Sequence, residues 1–216
     1  MTKAERELKQ IEQLNEMLKF ERELWQNGKA YVAGVDEVGR GPLAGPVVTA
    51  AVVLPHDFKL LGVNDSKKLS PKKRDELYDL ILEEALSVSI GRREPERIDE
   101  INILEATKEA MADAIAGLST HPIAGKKIVP DHVLIDALTL KSVAIPQTGI
   151  IKGDAKSVSI AAASIIAKVT RDREMVEMAK IYPGYAFESN KGYGTKAHYE
   201  GLAAKGPCPI HRKTFL

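Results

Sequence analysis

Tyr31-Val-Ala-Gly-Val-Asp36-Glu37-Val-Gly39-Arg40-Gly41-Pro-Leu-Ala-Gly45-Pro46 is the stretch whose reading decides the fold. Residues 31–35 are short and rich in β-branched side chains, as is Val47-Val-Thr-Ala-Ala-Val-Val-Leu54. Gly/Pro-dense sequence separates the two, so they read as neighbouring strands of a buried sheet. The first strand runs straight into two acids and then into a flexible glycine loop. Buried carboxylates are costly unless something positive pairs with them, so this is an unusual way to stabilise a fold. A turn role for Asp36 and a solvated Glu37 remain open on spacing alone. The pattern Gly39-x-Gly41-x-x-x-Gly45 does not fit the dinucleotide fingerprint, and no Gly-Lys-Ser/Thr follows, which excludes a P-loop.

Outward from this stretch, the chain alternates between helical and strand patterns. Residues 3–27 read as one charged amphipathic helix with Leu8, Ile11, Leu14, Leu18 and Trp25 near one stripe and Gly28 at the C-terminal cap. Its five Lys/Arg and six Glu nearly cancel, which marks a packing helix rather than a nucleic-acid arm. We therefore divide the chain into an N-terminal helix, 1–28, and a domain over 29–216. Ser70-Pro71 opens a helix to about Leu86, with a capping residue followed by Pro at the first helical position. A strand near Val88–Arg92, a helix over Ile103–Leu118, a strand His132–Asp136 and a short strand Thr148–Lys152 follow. Residues 156–179 form a helix rich in small side chains, with Ala161, Ala162, Ala163 and Ser164 in a row, which predicts close packing on the sheet. Thr195–Lys205 reads as a last short helix, capped by Gly206 and halted by Pro207. Strands interleaved with helices argue for a mixed α/β domain around one sheet.

Two further acids occupy places comparable to Asp36 and Glu37. Asp136 ends the apolar strand Val133–Ile135, and Asp154 lies in Lys152-Gly-Asp-Ala-Lys156 at the mouth of the small-residue helix. Strand ends of an α/β sheet line the crevice where ligands bind, so acids placed there converge. Four oxygen ligands without His or Cys favour Mg²⁺ or Mn²⁺ over zinc. Two such ions about 3.5–4 Å apart would make a phosphoryl-transfer site. Acids at strand ends are common, and spacing alone supports only that generic reading.

The motifs, taken together and in order, narrow it. Residues Gly34 to Pro46, then Asp65-Ser-Lys-Lys-Leu69, Leu134-Ile-Asp-Ala137, Lys152-Gly-Asp-Ala-Lys-Ser157 with 161–172, Lys191-Gly-Tyr-Gly-Thr195 and His211-Arg-Lys-Thr-Phe215 resemble bacterial ribonuclease HII, the type 2 ribonuclease H family. The resemblance covers about residues 30–216. It implies a ribonuclease H-like fold: a mixed central β-sheet flanked by helices, with a helical C-terminal region. It also implies that Asp36, Glu37, Asp136 and Asp154 are the catalytic acids and hold two divalent ions, Mn²⁺ or Mg²⁺. By the same resemblance Gly39, Arg40 and Gly41 contact the ribonucleotide 2′-OH and adjoining phosphate, and Tyr193 helps read the RNA–DNA junction. The 2′-OH separates RNA from DNA, and a backbone without Cβ can approach it closely. Ser66, Lys67 and Lys68 are candidates for holding duplex phosphates. Asp172 is expected in a structural salt bridge, and His198 and His211 in solvated or packing roles. The implied activity is hydrolysis of the RNA strand of RNA–DNA hybrids and cutting 5′ to single ribonucleotides in duplex DNA, leaving 3′-OH and 5′-phosphate ends. Ribonucleotide removal and RNA primer processing are the implied tasks.

Bulk properties agree with a soluble partner of nucleic acid whose basic surface is local. Formal net charge over 216 residues is only +1. Residues 189–216, however, carry Lys191, Lys196, Lys205, Arg212 and Lys213 against Glu200 alone. Lys67, Lys68, Lys72, Lys73 and Arg74 form a second cluster. Cys208 is the only cysteine, which excludes an intramolecular disulfide and a Cys-based zinc site. With no apolar run near ~20 residues and no secretory signal, a cytoplasmic monomer that touches no membrane is expected. About 30 residues precede the first strand and the chain stops soon after His211-Arg212. These short ends are expected to alter substrate affinity rather than the reaction. Gly-Arg-Gly at 39–41 argues against the sister type, ribonuclease HIII, and the intact acid set argues against a silent hybrid-binding module.

Overall fold

A computed structural model describes residues 2–118 and 128–216. A five-stranded sheet in the order β3-β2-β1-β4-β5 forms its centre, built from β1 (Val32–Val38), β2 (Val47–Val53), β3 (Ser87–Arg93), β4 (His132–Asp136) and β5 (Gln147–Ile150). β1 pairs antiparallel with β2 through the short glycine loop, and β2 antiparallel with β3 through a connection that contains a helix, whereas β1–β4 and β4–β5 are parallel. The alternating pattern predicts one sheet in an α/β domain, and the family resemblance implies that it is mixed, as it is. Three helices cover it: α3 (Pro71–Glu84), α5 (Ile103–Gly117) and α6 (Val158–Ile181). Side chains alternate across the sheet, so Ala50 and Val52 join the cluster with α3 and α6, while Ala33, Val35, Ala51 and Val53 join that with α5. No helix among the described residues is long and apolar enough to cross a membrane.

Helix–sheet contact is closest where side chains are absent. A Cβ on Gly34 of β1 would lie 2.1 Å from the Ser159 carbonyl carbon of α6, and one on Gly91 of β3 would lie 1.9 Å from the Ala110 oxygen of α5. The run Ala161, Ala162, Ala163 continues the close packing, and all three are fully buried. Ser157 caps α6 by accepting from Ile160 N, and Ser70 caps α3 with Pro71 next in line.

Several boundaries depart from the sequence reading. The N-terminal helix breaks at Leu18 into α1 (Lys3–Met17) and α2 (Lys19–Gln26). Neighbouring residues on a helix point about 100° apart, and the break lets both Met17 and Leu18 reach the core. Glu21 of α2 is buried too, its Oε1 accepting from Ser157 Oγ and, at 3.0 Å, from Ser159 N at the start of α6. β1 does not stop at Val35 but runs to Val38, because pairing with β2 continues through Asp36↔Ala50 and Glu37↔Thr49. Two helices were not legible in advance: α4 (Pro95–Ile101), begun by Pro95, and α7 (Phe187–Asn190). The last helix, α8 (Lys196–Lys205), is capped by Thr195 and ended by Gly206 at φ 71°.

Candidate active site

Parallel pairing of β1 with β4 ends at Val35↔Ile135, so the next residues on the two strands are Asp36 and Asp136. Both follow the even-numbered alternation that turns Gly34 and Leu134 toward α6. Asp154 sits in a single 3₁₀ turn, Gly153–Ala155, just before α6. Asp136 Oδ1 accepts from Gly153 N at 2.7 Å, which ties that turn to the end of β4. Ala137 and Lys152 flank this junction in left-handed conformation, at φ 52° and 57°. Non-glycine residues hold such angles at a cost, and they gather at functional sites. Asp36, Asp136 and Asp154 are thus collected by strand register and one helix start. Glu37 leaves the strand on the opposite side, and its carboxylate lies 3.6 Å from Arg40 Nη1.

The electrostatics are those of negative charge held away from water. Burial, then the charge of Glu37, push the Asp36 carboxyl well above its usual range, with Asp136 adding to the effect. Burial raises Glu37, opposed by Arg40, and burial and then Asp65 and Asp136 raise Asp154. Asp36 is 5% exposed and Asp154 7%. Burial alone would lower Lys67, yet Asp154, Asp36, Asp65 and Asp136 outweigh it and hold its ammonium above the usual value. That ammonium stands 3.9 Å from Asp154 Oδ2 on a largely exposed side chain, too open to neutralise four acids.

An oxygen-only donor set with this uncompensated charge suits a divalent cation. No three His, Cys, Asp or Glu side chains among the described residues are closed around one point. The carboxylates instead turn to local donors: Asp36 Oδ1 accepts from Glu37 N at 2.8 Å, Glu37 faces Arg40, and Asp154 faces Lys67. A divalent cation held there would take these carboxylate oxygens as its ligands.

Beside the acids the glycine loop folds back under a second set of buried charges. Gly39 and Gly45 have φ 92° and 85°, and a Cβ on Gly39 would strike Arg171 Nε at 2.3 Å. Arg171 and Arg212 are both fully buried. Arg171 donates to Pro46 O (2.9 Å), Ala44 O (3.0 Å) and Lys191 O (2.8 Å). Arg212 donates to Gly39 O, Gly45 O and, at 2.9 Å, Arg40 O. Burial and then repulsion from Arg171 pull Arg212 down to about 9, which leaves it cationic at neutral pH. The outer side of the loop is open: Arg40 and Gly41 are exposed. Tyr193 stands over it, its Cε1 3.7 Å from where a Gly41 Cβ would be, and is 44% exposed. Leu43 N donates to Gly192 O at 2.8 Å, and a Cβ on Gly192 would meet Ala44 O at 2.4 Å, so the two segments are in backbone contact.

The structure therefore brings together Asp36, Asp136 and Asp154, sets Glu37 at their edge, and joins Gly39, Arg40 and Gly41 to Tyr193. Lys67 and Lys68 are exposed near the acids, Lys68 at 4.0 Å from Asp65. Ser66 points the other way. It is 3% exposed and its hydroxyl meets Ser164 Oγ at 2.8 Å, and the Ser164 hydroxyl in turn favours the charged form of Asp36 against the effect of burial. Burial makes it a prop for Asp36 rather than a surface contact. Asp172 pairs with Lys168 at 2.8 Å, the structural role expected of it. Ser164, Asp65 and Arg212 were missed as contributors. Each lay inside a quoted motif, but its partners are remote in sequence or on another element.

Comparison with known proteins adds an independent view. The sequence profile of the family described as Ribonuclease HII matches residues 33–216. A protein named Ribonuclease HII from Ligilactobacillus salivarius is 58% identical over 215 residues, 98% of this chain and 81% of that one. Among solved structures, ribonuclease H2 from Pyrococcus horikoshii is 30% identical with a TM-score of 0.65, over 85% of this chain and 93% of that chain. Ribonuclease HII from Archaeoglobus fulgidus, solved in complex with PCNA, is 29% identical with a TM-score of 0.70 over the same shares. The sheet and its flanking helices are those of the ribonuclease H-like fold.

Proposed function

The chain belongs to the ribonuclease HII family and is a nuclease, and from that premise we propose that it cuts the RNA strand of RNA–DNA hybrids and duplex DNA 5′ to a single embedded ribonucleotide. The observation that carries the finer reading is the Tyr193 ring beside Gly41, one loop away from the acids through Arg40 and Glu37. A ring over an exposed glycine backbone forms a slot for a sugar, with main-chain groups close enough to sense a 2′-OH. Lys67 and Lys68 contact duplex phosphates, a contact that positions rather than specifies.

Asp36, Glu37, Asp136 and Asp154 are the residues that would hold two divalent ions, Mn²⁺ or Mg²⁺. When bound, these ions supply charge neutralisation at the phosphate and a lowered pKa for water. The chain's own part is placement. Ser66 and Ser164 hold Asp36, the Gly153 amide holds Asp136, and Arg40 sets the outward reach of Glu37. In-line attack of water on the phosphate 5′ to the ribonucleotide then leaves 3′-OH and 5′-phosphate ends. The protein acts as a cytoplasmic monomer in ribonucleotide removal and RNA primer processing.

The test is a DNA duplex with one internal ribonucleotide, incubated with Mg²⁺, with Mn²⁺ and with chelator. Cleavage on the 5′ side of the ribonucleotide in the metal arms alone is the expected result. Asp136→Asn should keep the fold and lose most of the rate. Metal-independent cleavage, or a near-normal rate in that variant, would refute the assignment.

A further inference from the structure

His211 and Arg212 are adjacent, both buried, and each reaches a different recognition segment. Arg212 gathers the carbonyls of Gly39, Arg40 and Gly45, as described. Its main chain joins the same loop: Arg212 N donates to Leu43 O at 2.9 Å, Gly45 N donates to Ile210 O at 2.8 Å, and Ala44 bridges His211. His211 points the other way, with its Nε2 2.9 Å from His198 Nε2, and His198 Nδ1 lies 2.9 Å from the Tyr193 carbonyl.

The proton positions in this relay follow from its two ends. The Tyr193 carbonyl can only accept, so His198 Nδ1 carries hydrogen and a neutral His198 offers Nε2 as acceptor. His211 must then donate from Nε2, which leaves its Nδ1 to accept. The Cys208 amide, 2.9 Å away, donates to that nitrogen. The Tyr193 end sets the order Cys208 N–H to His211 to His198 to Tyr193 O, and the Cys208 amide fits it as the shortest of the Cys208 contacts to His211 Nδ1, with Sγ at 3.1 Å and the carbonyl at 3.2 Å. Tyr185 and Phe187 pack against the imidazoles, with ring centroids 4.9 to 6.2 Å apart, and exclude water from the relay.

We propose that His198, His211 and Arg212 are positioning residues that lock the Gly39–Arg40–Gly41 loop and the Tyr193 segment in one fixed relative geometry, and so set the preference for a single ribonucleotide over a uniform hybrid. This goes beyond packing, because the side-chain bonds reach the main chain of Gly39, Arg40 and Tyr193, the segments the proposed function sets against the substrate. It rests on the proposed role of Tyr193 and Gly41 in reading the sugar. Loss of one buried hydrogen bond of this kind is expected to lower the preference ratio about tenfold.

The experiment uses the full chain and two readouts. The first is the ratio of kcat/KM for a one-ribonucleotide duplex to that for a uniform RNA–DNA hybrid. The second is amide hydrogen exchange in residues 39–46 and 192–195, which does not depend on activity. His198→Leu removes the donor to Tyr193, whereas the amide nitrogen of His198→Asn can take the place of Nδ1. Arg212→Lys keeps the charge but replaces a three-nitrogen fork by one ammonium. Tyr193→Ala is the control for the reading itself. The proposal expects a lowered ratio and faster exchange at 192–195 in His198→Leu, substantial recovery in His198→Asn, and faster exchange at 39–46 in Arg212→Lys. If Tyr193→Ala shifts the ratio and folded His198→Leu does not, the proposal is overturned while the sugar-reading role stands. If Tyr193→Ala leaves the ratio unchanged, the sugar-reading role falls and with it the claim on preference. Exchange then decides the lock alone, and unchanged exchange in both segments overturns it.

Discussion

Gly34→Ala probes the contact that holds α6, and with it the acid cluster, against β1. The added Cβ would sit 2.1 Å from the Ser159 carbonyl carbon and 2.4 Å from both Ile160 N and Ser159 O. The first of these is roughly 1.3 Å inside the distance at which ordinary van der Waals contact begins. All three obstacles are main-chain atoms in the first turn of α6, so no rotamer change relieves the overlap. Overpacking of a core costs about 1–3 kcal/mol, and a main-chain obstacle places this case at about 3 kcal/mol. Function should fall further. Ser164, whose hydroxyl favours the charged form of Asp36, rides on α6, and the Asp154 turn leads directly into it. A shift of about 1 Å between Asp36 and Asp154 should reduce kcat on the order of 10²-fold.

Gly91→Ala is the matched control, because its Cβ would meet the Ala110 oxygen of α5 at 1.9 Å on the other face of the sheet. It should cost comparable stability and leave kcat within about threefold, since β3 and α5 carry none of the four acids. Urea denaturation gives the stability change, and single-turnover cleavage of the one-ribonucleotide duplex with Mn²⁺ gives the rate. Equal kcat losses in the two variants, or a stable Gly34→Ala with full activity, would refute the reasoning.

Three further outcomes are expected. Burial raises the Glu21 carboxyl above its ordinary value of 4.5; its stabilising contribution is therefore full below that pH and lost as pH rises through the folded value. Glu21→Gln keeps an acceptor for Ser157 and Ser159, so its Tm should gain on the wild type as pH rises from 5 to 8, and a constant difference counts against the argument. Asp36, raised by burial and then by Glu37, follows the same sign. Metal-free Asp36→Asn should be more stable than wild type at pH 8 and lack the Tm increase that Mn²⁺ gives the wild type; an unchanged Mn²⁺ shift in the variant removes Asp36 from the ligand set. Lys67→Ala should weaken binding to all duplexes alike and reduce the slope of log K against log salt by about one; an unaltered slope rules out a phosphate contact.

What the sequence disclosed and what it withheld divide by the range of the interactions. Ser70, Ser157, Thr195 and Gly206 act within one helical turn of themselves, and the three helices they bound were legible to within about two residues. The end of β1 was not, because it depends on the partner strand. Asp36 and Glu37 stay extended only because Ala50 and Thr49 of β2 continue the ladder. Consequently the two acids leave on opposite sides of the sheet rather than together from a loop. Ser66 misled for a related reason. Its neighbours Lys67 and Lys68 are exposed, but the 3₁₀ turn over Ser66–Lys68 points its hydroxyl inward at Ser164, 98 residues away. Arg212 sits among cationic residues that read as one basic surface, yet it is buried on carbonyls more than 160 residues upstream.

Those carbonyls explain how two unlike charge clusters coexist a few residues apart. Four acids with only the exposed Lys67, Lys68 and Arg40 nearby, and two arginines on neutral oxygens, would each be unfavourable alone. Guanidinium groups tolerate burial better than ammonium groups, since several N–H donors reach several carbonyls at once. By drawing the carbonyls of Gly39, Arg40, Ala44, Gly45 and Pro46 inward, Arg171 and Arg212 fix a loop that has little hydrophobic anchorage in its glycines. The same two charges add positive potential behind the loop carbonyls they bind. A phosphodiester laid across the loop would have cationic support behind it and the acids beside it. The arginines thus hold a glycine backbone still with the same bonds that place two positive charges behind it, where they would offset repulsion between the acidic cluster and an anionic substrate.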